Sequence, residues 1–286
     1  MTAPPPPPPS AAATADPTAS EPEQVGARKV HSGFLHEMGE LVVFSGQAIV
    51  AMFGTPRYFS EVLGLTARIV RRTSFLLLAM NVFLGFSVAT FGFFFLRTIG
   101  AGDFVGVFTG LLTQRQVSMT MYGYVLSASI CCAITAELGA AKIQQEIDAY
   151  ESTGVDPMQL IVGARVLAVM MFVPLATVIS LIGQNLGNYL DIVVVLGGNG
   201  SQQFLDVTFS VQSMIGQIYT LITFFFMTLP CVLVACFYGM RASGGPADVG
   251  RAVAKSLMIN LILVHVISAF FGVFFYGRNL NIPIGD

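Results

Sequence analysis

Apolar residues run through this chain in long blocks, and charged residues fall in short clusters between them. Five windows contain no Asp, Glu, Lys or Arg: 73–96, 116–136, 166–190, 207–240 and 256–277. A helix rises about 1.5 Å per residue, so roughly 20 residues cross a hydrocarbon core about 30 Å thick, and each window is long enough. Lipid offers a bare backbone no hydrogen-bond partners, which leaves the helix as the form these segments take. The pattern predicts an all-α integral membrane protein with five spans, at about 73–96, 116–136, 166–190, 211–237 and 256–277. A shorter apolar run, 41–56, contains Gly46 and Gly54 and ends at Pro56. Its length suits an interfacial or re-entrant helix rather than a crossing.

Between the second and third windows the period changes. Ile143, Ile147 and Tyr150 recur at helical spacing, with Leu138 and Ala140 on or near the same stripe. Glu146, Asp148 and Glu151 project elsewhere. This predicts an amphipathic helix over 137–151, lying along the membrane surface; an ordinary acidic surface loop is the alternative. Gly154 is suited to ending the helix in the left-handed conformation. Asp156 and Pro157 then read as a turn or as the start of the next helix, and Arg165 is placed to pair with Glu146, Asp148 or Glu151. A short rigid helix outside the membrane passes on displacement, whereas a loop absorbs it. Between the fourth and fifth windows, Gly244, Gly245 and Pro246 predict a tight turn. The stretch 245–252 has the two glycines of a phosphate-binding loop. It lacks the Lys and Ser/Thr, no strand precedes it, and it is excluded as a nucleotide site.

Composition sharpens the membrane assignment. Of 286 residues 54% are hydrophobic and 10% charged, against roughly 25% charged in soluble domains. The net charge of −2 says little about partners; its distribution says more. Arg28, Lys29, Arg57, Arg68, Arg71, Arg72, Lys142, Arg165, Arg241, Arg251 and Lys255 fall on one side of a five-span layout, and only Arg97, Arg115 and Arg278 on the other. The positive-inside rule makes the first side cytoplasmic, with the N-terminus inside and the C-terminus outside. Residues 1–32 are Pro- and Ala-rich without an apolar core, which predicts a disordered cytoplasmic tail rather than a signal peptide.

Candidate chemistry inside the spans is sparse. Cys131, Cys132, Cys231 and Cys236 show no metal spacing and read as small buried hydrophobes. His265 is the single ionisable group in mid-span, accompanied by neutral Asn81, Gln184, Asn185, Asn188, Gln217 and Asn260. Ion-coupled transport and membrane metalloenzymes need intramembrane carboxylates or clustered ligands, so the pattern argues against both. Phe91, Phe94, Phe224 and Phe225 are candidates to line a path for a greasy cargo, with lipid-facing filler as the bland alternative.

The segment from Glu137 to Arg165 resembles the MlaE/YrbE family of ABC permeases. The matching residues are Glu137, Leu138, Gly139, Ala140, Lys142, Ile143, Glu146, Ile147, Asp148, Ala149, Glu151, Gly154, Val155, Asp156 and Pro157, then Arg165. Tyr150, Ser152, Thr153 and Ala164 depart from the usual residues. A second likeness, through Cys236–Gly239, Ser243–Pro246, Val249–Gly250 and Tyr276–Gly277, is to one YrbE partner of Mce (mammalian cell entry) systems.

The resemblance implies a definite organisation: an interfacial elbow region over 33–72, a permease domain over 73–277, and an outward-facing tail over 278–286. It also implies a cytoplasmic coupling helix between spans two and three. Glu137, Lys142, Glu146, Asp148, Glu151, Gly154, Asp156, Pro157 and Arg165 would serve ATPase coupling. The chain itself would bind no cofactor and catalyse nothing; ATP and Mg²⁺ would sit in a cytoplasmic ABC ATPase. The further partners implied are a second YrbE-type permease, a periplasmic ring of Mce proteins and a lipid cargo, all at the inner membrane. A structural scaffold for such an assembly is the alternative function, and an ion-coupled secondary transporter a more distant one.

Overall fold

The computed structural model describes residues 34–54, 58–154, 156–198 and 200–277; the expected tails at 1–32 and 278–286 lie outside them. The described residues are helical almost throughout, without strands. In chain order the helices are α1 Phe34–Gly54, α2 Phe59–Thr98, α3 Gly102–Ile143, α4 Glu146–Ser152, α5 Met158–Val195, α6 Ser201–Ser210, α7 Met214–Met240 and α8 Pro246–Tyr276. Five of them (α2, α3, α5, α7 and α8) are long and apolar enough to cross a membrane, at 27 to 42 residues each.

α2, α3 and α5 each contain a charge-free window and extend well beyond it, whereas α7 starts at Met214, inside the window 207–240 whose first residues belong to α6, and α8 starts ten residues before its window and ends at Tyr276. α2 starts at Phe59, so Glu61, Arg68, Arg71 and Arg72 lie on its first turns. Within the stretch expected to be one interfacial region, 33–72, the described residues 34–54 form α1 and residues 59–72 form the foot of the first long apolar helix. Charged side chains tolerate this because the ends of a spanning helix emerge into the headgroup layer, where long side chains reach water. α3 and α5 are continuous through widened π-type turns at 113–117, 126–131, 158–163 and 190–195. Pro174 and Pro230 sit inside α5 and α7, where neighbouring helices compensate for the missing donor.

The centre of the bundle is formed mainly by α3, α5 and α7. Tyr122, Leu126, Phe172, Phe224 and Met227 are all buried there. α2 and α8 flank this core and turn Phe75, Phe83, Ile262, Phe270 and Phe274 outward, a surface that only lipid or another apolar partner can cover. The most extensive helix pair is α2 with α5. Gly183 packs on Leu78 and Asn81, Gly187 on the Val82 carbonyl and Phe86 amide, and Gly85 on Gln184 and Asn188. Small residues at this spacing let two backbones approach closely, the main source of attraction where lipid removes the hydrophobic effect.

Polar groups tie α3 to α5, α7 and α8. Asn188 Nδ2 donates to Thr113 Oγ1 at 2.9 Å and Ser118 Oγ to Gln184 Oε1 at 3.3 Å. Gln114 Nε2 donates to the Ser213 carbonyl at 2.6 Å, and its own carbonyl accepts from Thr220 at 2.9 Å. His265 donates from Nδ1 to the Leu261 carbonyl and accepts at Nε2 from Tyr124, at 2.8 and 2.9 Å. Only the hydroxyl can donate in the second bond once Nδ1 carries the proton. His265 is a hydrogen-bonded packing residue.

Candidate functional site

The described residues at one end of the bundle comprise α1, the feet of α2 and α5, the end of α3, α4, and the 241–245 turn. Lys142, Arg165, Arg241, Arg251 and Lys255 gather at this end with Arg68, Arg71 and Arg72, while Arg97 and Arg115 lie at the other.

The acidic segment is built in two pieces. The continuous helix expected over 137–151 is divided, because α3 ends at Ile143 and Gln145 adopts a left-handed φ of 59°. A non-glycine residue there costs about 1 kcal/mol or more. The break resets the helical phase. Ile147 is 1% exposed and joins Leu138 and Ile161 in the main core. Tyr150, expected on that stripe, instead faces outward at 42% exposure. Lys142 Nζ donates to Asp148 Oδ1 at 2.8 Å, spanning the break. Glu146, Asp148 and Glu151 are all exposed. Burying Ile147 contributes about 1.5–3 kcal/mol to holding α4 on the bundle.

The exit from α4 follows expectation. The Gly154 amide donates to the Glu151 carbonyl at 3.0 Å, and Gly154 takes a φ of 77°, where a side chain would be strained. Asp156 Oδ1 accepts from the Met158 amide at 2.9 Å, and Pro157, at a helical φ of −64°, leads into α5. Of the two readings of Asp156-Pro157, the structure adopts the helix start. Arg165 does not pair with the acids of α4. Its guanidinium donates to the Ile161 carbonyl at 3.1 Å and lies 3.6 Å from Glu137 on α3. Arg165 lines one groove with Glu146 and Tyr150 of α4, but its ion partner is Glu137, near the end of the neighbouring α3. A groove of about 550 Å³ runs between α4 and the foot of α2, lined by Tyr58, Glu61, Leu65, Glu146, Tyr150 and Leu160.

A second cluster, which the sequence reading missed, fastens α1 to this end. Glu37 Oε1 accepts from Lys255 Nζ at 2.6 Å and from the Tyr238 hydroxyl at 3.0 Å. Glu40 pairs with Arg241, whose guanidinium also lies 4.9 Å from the Phe237 ring centroid. The available signal was a pair of acids three residues apart on an otherwise apolar helix, opposite two basic residues flanking a turn. The Lys255 hydrogen bond holds the Glu37 carboxyl below its ordinary range against an opposing effect of burial, and Arg241 does the same for Glu40. Depressed carboxyls stabilise the docked state above their undocked value, near 4.5, and lose that contribution as pH falls through the docked value. The protection of residues 34–54, referred to the intrinsic amide exchange rate at each pH, is therefore expected to fall on acidification below about pH 4. A Glu37→Gln/Glu40→Gln variant should exchange fast at neutral pH as well. Unchanged protection of wild-type α1 in acid would show that this clasp does not hold the helix.

The turn at 244–246 forms as expected. Gly244 takes a φ of 99°, the Gly245 carbonyl accepts from the Asp248 amide at 2.9 Å, and Pro246 opens α8. The four phenylalanines divide. Phe91 and Phe94 are exposed on α2 along a shallow concavity that also includes Thr90 and Phe95. Phe224 is fully buried and stacks on Tyr122 at 4.0 Å between centroids, and Phe225 is partly buried against the same core. Phe224 is thus a bundle contact rather than a lining residue in this conformation. Asp191 was missed as a site because it bounds a charge-free window. α5 continues to Val195, so Asp191 is 1% exposed, accepts from Thr90 at 2.8 Å, and leaves Oδ1 without a partner.

Comparison with known proteins bears on this end of the bundle and on the rest. The family profile described as "Permease MlaE" matches residues 62–274. A probable ABC transporter permease protein of Rickettsia typhi is 23% identical over 241 residues, covering 81% of this chain and 89% of its own length. A counterpart in Rickettsia conorii is 24% identical, covering 84% and 92%. One in Synechocystis is 25% identical over 60% of this chain and 65% of its own.

Proposed function

The chain belongs to the MlaE permease family, and from that premise we propose that it is the membrane subunit of an ATP-driven lipid transporter of the Mce type in the inner membrane. The observation that carries this reading is α4. It is a short acidic helix outside the bundle, bounded on both sides by left-handed residues and anchored through Ile147 to the ends of α3 and α5. A soluble motor needs such a handle. Glu146, Asp148 and Glu151 form its contact face, Gly154 and Asp156-Pro157 its pivot, and the Arg165–Glu137 pair its tie to the helices that move. ATP and Mg²⁺ are held by the cytoplasmic ABC ATPase, in which the covalent chemistry of hydrolysis takes place. Displacement of α4 shifts α3 and α5 against α2 and α7, and so changes the apolar space between this chain and a second YrbE-type permease.

The printed names of the Rickettsia and Synechocystis relatives support the ABC permease part of the reading. The C-terminal likeness to YrbE chains supports the Mce ring as the periplasmic partner and a lipid as cargo. Apart from Asp191, buried near the end of α5, the spans carry few ionisable side chains, which fits a cargo that needs no ion pathway.

Topology tests the reading directly. Ser152→Cys on α4 should resist a membrane-impermeant maleimide in intact cells and react after permeabilisation, whereas Gln202→Cys on α6 should react in intact cells. The reverse pattern would put α4 on the outer face and end the proposal.

A further inference from the structure

The foot of α2 borders a second groove, of about 600 Å³, between α2, α3 and the start of α5. Its two long walls differ in chemistry. Arg68, Arg71 and Arg72 occupy i, i+3 and i+4 on α2 and so share one helix face. Arg165 of α5 closes one end. The facing wall of α3 is apolar over Ile130, Ala133 and Ile134, with the Ser129 hydroxyl at one end and Glu137, paired with Arg165, at the other. Helices α2 and α3 run antiparallel, so the groove extends about 12 Å along them, from Leu65 and Glu137 to Thr73 and Ser129.

The charge here is not balanced from within. Glu137 is the only acid lining the groove, and it is shared with Arg165. Arg68 lies 3.5 Å from Glu61. Arg71 and Arg72 make no ion pair among the described residues, and the buried Nε of Arg165 has no hydrogen-bond partner. Arg71 and Arg72 immediately precede the charge-free window that begins at residue 73, which puts the basic wall at headgroup depth. An amphiphile whose anionic head meets guanidinium donors while its first methylenes lie on Ile130, Ala133 and Ile134 matches both walls. A free anion would use one wall only.

We propose that this groove binds the phosphate or carboxylate headgroup of an acidic lipid drawn from the leaflet at the α4 end of the bundle. Binding there does not require that the lipid be transported, so the site stands or falls separately from the transport function. The outer concavity beside Phe91 and Phe94 lacks any cation and does not compete for such a ligand.

The test uses the full chain in its complex, reconstituted in nanodiscs of phosphatidylcholine with an equal share of phosphatidylglycerol, with retained lipid read by native mass spectrometry. Wild type should retain phosphatidylglycerol over phosphatidylcholine. Each basic side chain at a charged membrane surface is worth about a factor of five, so Arg71→Gln/Arg72→Gln should cut the preference about 25-fold, and Arg71→Lys/Arg72→Lys should keep most of it. Ala133→Phe fills the groove without removing charge and should also expel the lipid, which keeps the test open if the double Gln variant does not assemble. Equal retention of both lipids by wild type, or an unchanged preference in the Ala133→Phe variant, overturns the proposal. So does thermal stabilisation by millimolar inorganic phosphate that matches that by phosphatidylglycerol, because the site would then be one for free anions.

Discussion

Replacing Glu146 and Glu151 together with Lys is expected to abolish co-purification of the ATPase subunit with the permease. Both side chains are exposed on α4, and the double change converts two negative charges into two positive ones on a seven-residue helix. Like charges brought face to face across an interface cost several kcal/mol, and every 1.4 kcal/mol is about tenfold in affinity. The fold should survive, because the anchor Ile147 and the Lys142–Asp148 pair are untouched. Neutral Gln at both positions should weaken the complex without eliminating it. ATPase recovered at wild-type yield with the Lys variant would mean that the acidic face of α4 is not the contact.

A second large effect is expected from Gly187→Val on α5. A Cβ at Gly187 would occupy the space of the Val82 carbonyl oxygen and approach the Phe86 amide. Neither backbone atom can move alone, because both belong to the regular turns of α2. Flanking bonds from Asn188 to Thr113 and from Thr90 to Asp191 hold the region in register. Overpacking of a well-fitted contact costs about 1–3 kcal/mol, and here the obstacle is backbone rather than a flexible side-chain tip, so the upper end or beyond applies. The readout is the melting temperature in detergent together with the folded yield. Gly64→Ala on the same α2 is the matched control, since nothing lies within 4 Å of its added methyl, and helix propensity makes that change neutral or mildly stabilising. Equal melting of both variants would remove the close α2–α5 approach as a source of stability.

The spans were legible in the sequence because a single physical quantity, the absence of charge over a membrane thickness, defines them. Their ends were not legible by the same means. Arg68, Arg71 and Arg72 read as the boundary of a helix, yet they lie on its first turns, since a guanidinium can reach water from inside the headgroup layer. Asp191 marked the edge of a window, and the helix carries it inward. The division at Gln144 and Gln145 left no trace, because glutamine is an ordinary helical residue and only the tertiary demand to bury Ile147 forces Gln145 into a left-handed conformation. Gly154 was readable for the opposite reason: a residue without Cβ in a polar segment announces the turn it permits. Phe224 and Phe91 look alike in a lipid-soluble sequence, where apolar character does not separate core from surface. The tie between α1 and Arg241 and Lys255 joins residues about 200 positions apart, and no local period reports on such a contact.

The dominant pairing of α2 with α5 also has a consequence for biogenesis. These two helices are not neighbours in the chain; the whole of α3 and α4 is made between them. At a translation rate of about 5–20 residues per second, α2 waits several seconds or more in the bilayer before Gly183 and Gly187 leave the ribosome. During that interval the face bearing Leu78, Val82 and Gly85 has no protein cover from α5, and Thr90 has not yet met Asp191. A nascent chain with this order of helices depends on something else, either lipid or the insertion machinery, to occupy that seam until its true neighbour arrives.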